Sequence, residues 1–499
     1  MPDRITVRLD HALGTISPRI YGHFAEHLGD CMYGGLWVGP RSKIPNIRGF
    51  RTDAVRALKR LRAPVIRWPG GCFADDYDWQ DGIGPRAKRP KRVNIWWGSD
   101  EPNEVGTHEF LTLCQLVGAE PYIAVNLGSG TPRQARDWVE YCNRPSGTTL
   151  AERRARNGRK KPWGIVLWGV GNESWLCGGN FTAEEYGGRF RQYATFMKQI
   201  DPRIELVACG SVPDKLFSAR DHATWDDRVL AAMDPVLPEH IAIHYFFMSH
   251  GHATQFTDSQ HYGLMADVVG LENHILGVIR VAEQYEAKRK VRIAVDEWAV
   301  HHENALRQEG YRQQNTLRDA MTAGLVYNVY NRMCDRVSMS NLTQTANVLQ
   351  SILLTKGGRT LLTPTYHVLD LYRPHMGAEA LTAEVRCPRC RVAGHAGKKV
   401  ALPLLSVSAS RSGSDLTLSV VNQHLTRNAE MEVAVRGDGR IDGGEVSVLT
   451  APDVRDHNDF GRGEGRRVAP VKERLNCAGK SFGRVFEAKS VTVMRLKLV

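Results

Sequence analysis

The sequence predicts a (β/α)8 TIM barrel, an α/β fold, followed by an antiparallel β-sandwich of jelly-roll type. Three observations support this prediction. From about residue 18 to residue 373, short apolar strands alternate with amphipathic helices, which is the pattern of a parallel sheet. After residue 373 the segments alternate apolar and polar residues, as the strands of an antiparallel sheet do. The length of 499 residues exceeds the size at which a single core stops growing.

Eight candidate strands lie in the first region. They cover residues 19–23, 65–68, 122–126, 165–170, 205–209, 241–245, 292–295 and 336–339. Eight strands alternating with helices over roughly 350 residues fit a (β/α)8 barrel with insertions. An open doubly wound sheet is the alternative arrangement.

The segments between these strands carry helix signals. Thr107 precedes an apolar stripe of helical spacing, and Gly118 stands where that helix should end. Thr182 and Glu185 form a capping box ahead of a second stripe. Residues 275–285 repeat the helical pattern.

The alternating segments of the second region are residues 416–420, 431–435 and 491–496, with Gly and Asp turns between them. An opening strand with Ile5, Val7 and Leu9 alternates in the same way, so we expect it to join the sandwich. The predicted division is therefore residues 1–15 as this strand, 16–373 as the catalytic barrel and 374–499 as the sandwich.

Composition excludes several classes of protein. Hydrophobic residues make up 42% and charged residues 24%, as in an ordinary globular protein. The formal charge is +12, and much of the excess lies in basic clusters at residues 86–92 and 153–161, which raises the question of nucleic-acid binding. Both clusters lie beside Pro, Gly or Asn and lack interleaved aromatic residues, which favours solvated loops over a nucleic-acid site. The charged, alternating N-terminus indicates neither a signal peptide nor a membrane span. We expect a cytoplasmic protein with no nucleic-acid or membrane partner.

The ten cysteines are scattered, which favours free thiols over a disulfide framework. Cys387 and Cys390, with His395 nearby, have metal-ligand spacing but no second cysteine pair, so a loop is favoured over a zinc site. Other motifs are incomplete: residues 169–174 lack the third glycine of a dinucleotide loop, residues 301–303 lack the spacing of a zinc protease, and no nucleophile elbow appears. The sequence thus calls for no metal and no cofactor.

Two predicted strand ends carry a glutamate, Glu173 on the fourth strand and Glu297 on the seventh. In a barrel these ends share one face, where active sites are built. Paired carboxyl groups in one cleft suit glycosidic cleavage, in which one protonates the leaving oxygen and the other attacks or activates water. We expect Arg67 to keep Glu297 ionised, and the Trp and Cys neighbours of Glu173 to favour its protonated form.

Several motifs together resemble the glycoside hydrolase family 51 α-L-arabinofuranosidases over almost the whole chain. These are Gly-Asn-Glu-Ser at 171–174, Asp-Glu-Trp at 296–298, Arg-Trp-Pro-Gly-Gly-Cys-Phe at 67–73, Gly-His-Phe-Ala-Glu-His at 22–27, and the segments 81–85, 124–128 and 347–350. The resemblance implies a retaining enzyme with Glu173 as acid/base and Glu297 as nucleophile. It implies that Glu26, Asn172 and Gln350 hold sugar hydroxyls, that Arg67 orients the nucleophile, that Trp97 lines the pocket and that His244 belongs to the site. Cys72 and Tyr245 complete the set of predicted substrate-binding residues.

Two positions depart from the family pattern. Some members have Asn in place of Cys72, and Phe246 stands where a tyrosine contacts the nucleophile in some relatives. Tyr245 is adjacent, but on a regular strand it would point the other way. The predicted function is exo-acting removal of terminal arabinofuranosyl units from oligosaccharides, by an enzyme that the resemblance implies is a homo-oligomer. The alternatives are an endo-glucanase or xylan-active hydrolase on the same scaffold, or a non-catalytic carbohydrate- or nucleic-acid-binding protein.

Overall fold

The computed structural model describes residues 3–213, 222–248, 250–307, 309–393, 399–461 and 468–499. Eight parallel strands form a closed barrel in which the eighth strand pairs with the first. In chain order they are Gly22–Phe24, Val65–Trp68, Glu120–Val125, Leu167–Val170, Glu205–Cys209, His240–Phe247, Arg292–Val300 and Val337–Leu342. The predicted barrel is confirmed, and the open sheet is excluded.

The seventh strand differs from its prediction because it continues to Val300 rather than ending at residue 295. The sixth strand, with 8 residues against 9, is nearly as long and pairs with it through His244 opposite Glu297 and Phe247 opposite Val300. This pairing extends the ladder of hydrogen bonds past Asp296 and Glu297, which the sequence pattern placed at the end of the strand. Glu297 therefore lies within a strand, which fixes its backbone more firmly than a loop would.

The described residues contain nine α-helices, most of them on the outside of the barrel. They are α1 Thr52–Leu61, α2 Thr107–Val117, α3 Pro132–Asn143, α4 Thr149–Arg156, α5 Ala183–Ile200, α6 His222–Met233, α7 Asp258–Glu283, α8 Leu317–Arg332 and α9 Pro364–Tyr372. Gly118 ends α2 in the left-handed region, and the Thr182 side chain accepts a hydrogen bond from the Glu185 amide at the start of α5, as predicted. None of the helices in the described ranges is long and apolar enough to cross a membrane.

The second region is a β-sandwich built on one nine-stranded sheet. Its C-terminal strands are Glu379–Arg386, Leu405–Ser412, Asp415–Asn422, Ala429–Arg436, Ile441–Leu449, Val471–Gly479, Ser481–Phe486 and Ser490–Leu498. The N-terminal strand, Arg4–Thr15, lies between the first and fourth of these strands. Ile5 and Val7 are fully buried in the sandwich core. Helix α8 contacts the sandwich through Asn328, whose amide donates to the Ser406 carbonyl.

Four short hairpins complete the described fold. They are Asn46–Ile47 with Phe50–Arg51, Arg92–Val93 with Asp100–Glu101, Leu353–Lys356 with Arg359–Leu362, and Arg389–Ala393 with Lys399–Pro403. Cys387 precedes the last hairpin, Cys390 lies in its first strand opposite Leu402, and both carry free thiols. His395 lies outside the described residues.

Candidate active site

Glu173 and Glu297 lie at the same end of the barrel because all eight strands are parallel. Both are buried, with 7% and 9% of their surface exposed. Glu173 follows the fourth strand in a tight turn whose backbone φ of 39° is in the left-handed region, unusual for a residue with a side chain. The amides of Leu176 and Gly178 donate to its carbonyl at 2.7 and 3.1 Å. These bonds hold the Glu173 side chain in one direction.

His244, on the sixth strand, lies between the two glutamates. Its Nδ1 is 2.9 Å from Glu173 Oε1 and 3.6 Å from Glu297 Oε2, while its Nε2 is 3.3 Å from Asp296 Oδ1. Adding the two Nδ1 distances places the glutamate oxygens at most about 6.5 Å apart, the lower limit of the separation in inverting glycosidases. One imidazole thus contacts three carboxyl groups.

Arg67, on the second strand, joins the nucleophile candidate to the fourth strand. Its guanidinium donates to Glu297 Oε2 at 3.0 Å, to the Asp296 carbonyl at 3.2 Å and to Asn172 Oδ1 at 2.7 Å. Only 1% of Arg67 is exposed, and its guanidinium stacks 4.5 Å from the Phe24 ring centroid. A planar fork of donors fixed in this way aligns two side chains at once.

The electrostatics of the site are those of a negative cluster with two cations. Burial raises the pKa of Glu297 to about 8, even though His244 and Arg67 oppose the rise, and the nearby charge of Glu173 adds to it. For His244, burial lowers the pKa, but Glu297 and the bonds to Asp296 and Glu173 outweigh that effect and raise it to about 10. Arg67 therefore orients Glu297 and lowers its pKa, as the sequence argument expected, but burial acts in the opposite direction and is the larger effect.

Glu26 and Asp75 brace the loops around this centre. Glu26 Oε1 accepts from the Gly71 amide at 2.8 Å, and its Oε2 accepts from Gln344 Nε2 at 2.7 Å. Asp75 accepts from the Asn172 amide at 2.8 Å and from two amides of the loop after the third strand. The sequence argument gave no role to Asp75, although its place just after the second strand was a usable signal. Nothing in the sequence marked Gln344.

Comparison with known proteins identifies the family. The family models that match are described as an α-L-arabinofuranosidase 1 domain, over residues 57–258, and an α-L-arabinofuranosidase C-terminal domain, over residues 296–490. An intracellular exo-α-L-arabinofuranosidase of Bacteroides ovatus is 38% identical, over 99% of this chain and 95% of the relative. The solved structure of the family 51 arabinofuranosidase of Xanthomonas axonopodis pv. citri superposes with a TM-score of 0.91 at 34% identity, covering 99% of this chain and all of that one.

The chain belongs to the family 51 α-L-arabinofuranosidases. It is a glycoside hydrolase. An intracellular exo-α-(1→5)-L-arabinofuranosidase of Halalkalibacterium halodurans is also similar, with 33% identity over 85% of each chain.

The cysteine prediction was wrong at one place in this family 51 enzyme. Cys72 and Cys177 form a disulfide, with Cα atoms 5.5 Å apart. The loops after the second and fourth strands bring together two residues 105 positions apart, a proximity that no local pattern reveals. Cys72 is therefore not the free thiol that the sequence suggested, and the bond lies against Glu173. The other eight cysteines are free.

Two of the residues predicted to contact substrate, Tyr245 and Gln350, have their polar groups bonded to other parts of the fold, whereas a third, Trp97, does not. The Tyr245 hydroxyl donates to the Asp267 carbonyl in α7 at 3.0 Å, because alternation along the strand turns its ring outward. The Gln350 amide is occupied at both ends, by the Val300 amide and by a carbonyl of α8. Trp97 stands in the 92–101 hairpin with its ring edge-on to Tyr311, and no acceptor among the described residues bonds to its buried Nε1.

Proposed function

We propose that the protein is a retaining, exo-acting α-L-arabinofuranosidase that removes terminal arabinofuranosyl units from arabino-oligosaccharides or arabinoxylan fragments. The observation that carries the proposal is the buried pair Glu173 and Glu297 with His244 between them. Retaining glycosidases place their carboxyl groups about 5 to 5.5 Å apart, and the upper limit of about 6.5 Å set by His244 accommodates that separation.

In the proposed mechanism, Glu297 attacks the anomeric carbon while Glu173 protonates the departing oxygen. Glu173 then deprotonates water, which releases arabinose from its ester with Glu297. Burial, and to a lesser extent the charge of Glu173, raise the pKa of Glu297, so the centre favours the retention of a proton. The proposal places that proton on Glu173 when the leaving oxygen is bound.

The remaining polar groups suit a single furanose. Asn172 Oδ1 accepts a hydrogen bond from Arg67. The Asn172 amide nitrogen lies 3.7 Å from the sulfur of Cys177 and can donate to the sugar 2-hydroxyl. The partnerless Nε1 of Trp97 is a second donor for the substrate. The relatives' names, which include "exo", support cleavage at chain ends.

We also propose an intracellular location, as named for the relatives of Bacteroides ovatus and Halalkalibacterium halodurans. A homo-oligomer is proposed from the family resemblance. Light scattering coupled to gel filtration would test the oligomer, since a mass of one 55.8 kDa chain would contradict it.

The deciding experiment compares hydrolysis of aryl α-L-arabinofuranoside, β-glucoside and β-xyloside. The wild type should cleave the first, and the first-formed arabinose should keep the α configuration by NMR. Glu297→Ala should abolish cleavage. The control is Glu109→Ala, which removes a different buried carboxylate, one paired with Arg89, and this variant should still cleave the substrate. Release of the β anomer would refute the retaining mechanism. A wild type that ignores all three substrates would refute the exo-arabinofuranosidase.

A further inference from the structure

We propose that reduced Cys72 and Cys177, together with Glu173, form a binding site for a thiophilic divalent cation such as Zn²⁺, and that the disulfide keeps this cation away from the acid/base. The role of Glu173 in this statement rests on the proposed function, whereas the cation site itself does not. Within the described residues, these three side chains are the group whose potential metal-ligand atoms all lie within 4.8 Å of one another.

The distances suit a tetrahedral ion. Glu173 Oε2 lies 3.6 Å from Cys177 Sγ and 3.9 Å from Cys72 Sγ. With zinc–sulfur bonds of about 2.3 Å and zinc–oxygen bonds of about 2.1 Å, the sulfur-to-oxygen edge of a tetrahedron is about 3.6 Å. The carboxylate oxygen is thus already placed as a third ligand. Only the two sulfurs must separate, which rotation of two cysteine side chains allows once the bond between them is broken.

The chemistry of the three donors selects the type of ion. Two thiolates are soft ligands and the carboxylate is a hard one, and the two sulfurs favour zinc and cadmium over magnesium or calcium. Glu173 and Cys177 are buried, so the charges of the thiolates and carboxylate need a cation for compensation. Cys72 is only half-buried, which leaves a route from solvent to the site. Three protein ligands leave the fourth position open to water.

Reduction of the Cys72–Cys177 bond needs only an external thiol reductant. A dithiol delivers two electrons and two protons to the Cys72–Cys177 bond, and the dithiol itself becomes a disulfide. Zn²⁺ then displaces the two thiol protons to solvent as it binds both sulfurs. In the reducing interior proposed for this enzyme, thiols are kept free, so the disulfide would be a transient state there. A Glu173 oxygen bound to zinc cannot donate or accept the catalytic proton, so the cation should inhibit.

The first experiment measures binding in the absence of substrate. The enzyme is reduced with a phosphine, desalted without oxygen and titrated with Co²⁺, whose bonds to thiolates give a charge-transfer band. We expect one such ion per chain that Zn²⁺ displaces, and no band from the oxidised enzyme. Cys177→Ala should remove the band. The double variant Cys387→Ser, Cys390→Ser, which removes the other closely spaced thiol pair, should retain it.

The second experiment measures inhibition. Zn²⁺ should inhibit reduced wild type, and a chelator should reverse the effect, while oxidised enzyme should tolerate at least tenfold more zinc. If Cys177→Ala fails to fold, Glu173→Gln, which keeps the disulfide partners, should weaken Co²⁺ binding at least tenfold. A disulfide that alkylation and mass spectrometry show to resist reduction in the folded enzyme would overturn the proposal, as would a band that survives in Cys177→Ala. A band without arabinofuranosidase activity would refute the proposed function and leave the cation site standing.

Discussion

Replacing Arg67 with lysine tests whether the guanidinium fork, rather than its charge alone, aligns the active site. Arg67 makes three hydrogen bonds, to Glu297, to the Asp296 carbonyl and to Asn172. A lysine ammonium in the same space can keep the ion pair with Glu297, but it is a single point of charge and cannot also reach Asn172 in the same geometry. The variant therefore keeps the net charge and loses the connection between the fourth and seventh strands.

The size of the effect follows from the bond that is lost. The bond to Asn172 is 2.7 Å long, has a charged donor and is fully buried. Hydrogen bonds of this kind contribute about 1.5 to 3 kcal/mol. If that contribution acts on the transition state, kcat/KM should fall roughly 10- to 150-fold. Most of the loss should be in kcat, because Glu297, as the proposed nucleophile, begins to bond to the sugar only in the transition state.

The assay is the kcat/KM of an aryl α-L-arabinofuranoside at neutral pH, with unfolding by urea measured in parallel. Arg154→Lys is the matched control, since Arg154 is also fully buried and its guanidinium donates to backbone carbonyls remote from the site, such as that of Tyr141. The control should lose stability and keep the activity of the folded enzyme. If Arg67→Lys stays within threefold of wild type, the alignment argument is wrong.

Three further variants test individual contacts. Glu173→Gln should lower the pKa of Glu297, because the charge of Glu173 raises it. With a substrate whose activated leaving group needs no acid, the acidic limb of the pH profile of kcat/KM should therefore move to lower pH. An unmoved limb would show that the charge of Glu173 does not act on Glu297. Tyr245→Phe should keep kcat/KM within about twofold and lose about 0.5 to 1.5 kcal/mol of unfolding free energy, since the Tyr245 hydroxyl donates to the Asp267 carbonyl. A tenfold rise in KM would instead place Tyr245 at the substrate. Gln350→Ala should lose about 1 to 3 kcal/mol of unfolding free energy, measured in urea, because it leaves buried backbone groups unpaired. A variant that is as stable as wild type but inactive would instead make Gln350 a sugar ligand.

The barrel was predictable because each strand is a short apolar run between helices with clear caps. The second and fifth strands, Val65–Trp68 and Glu205–Cys209, have the predicted bounds. The seventh strand was cut short because Asp296 and Glu297 interrupt its apolar pattern, and only its pairing with the sixth strand shows that it continues. Local pattern therefore locates a strand, whereas the length of the strand depends on its neighbour.

The site was predictable where a residue directly follows a strand and less so where two loops meet. Glu173 and Glu297 were found from single strand ends. Alternation along the strand also predicted that Tyr245 points away from the site, although Tyr245 was counted among the predicted substrate-binding residues. The bond between Cys72 and Cys177 requires knowledge of how the second and fourth loops approach, which no local pattern contains.

The charge balance of the buried centre explains why such a site can hold an acid beside a nucleophile. Four carboxyl groups and two cationic side chains are buried together: Glu26, Glu173, Asp296 and Glu297 with Arg67 and His244. With every group ionised the centre would carry two excess negative charges, which burial disfavours. Burial raises the pKa of Glu26 as well as that of Glu297, while Arg67 and His244 outweigh burial at Asp296 and lower its pKa. Burial thus favours the protonated forms of Glu26 and Glu297, which relieves the excess, and the double displacement proposed for this enzyme needs a proton in the centre. A third cation would ionise every carboxyl group and remove the acid.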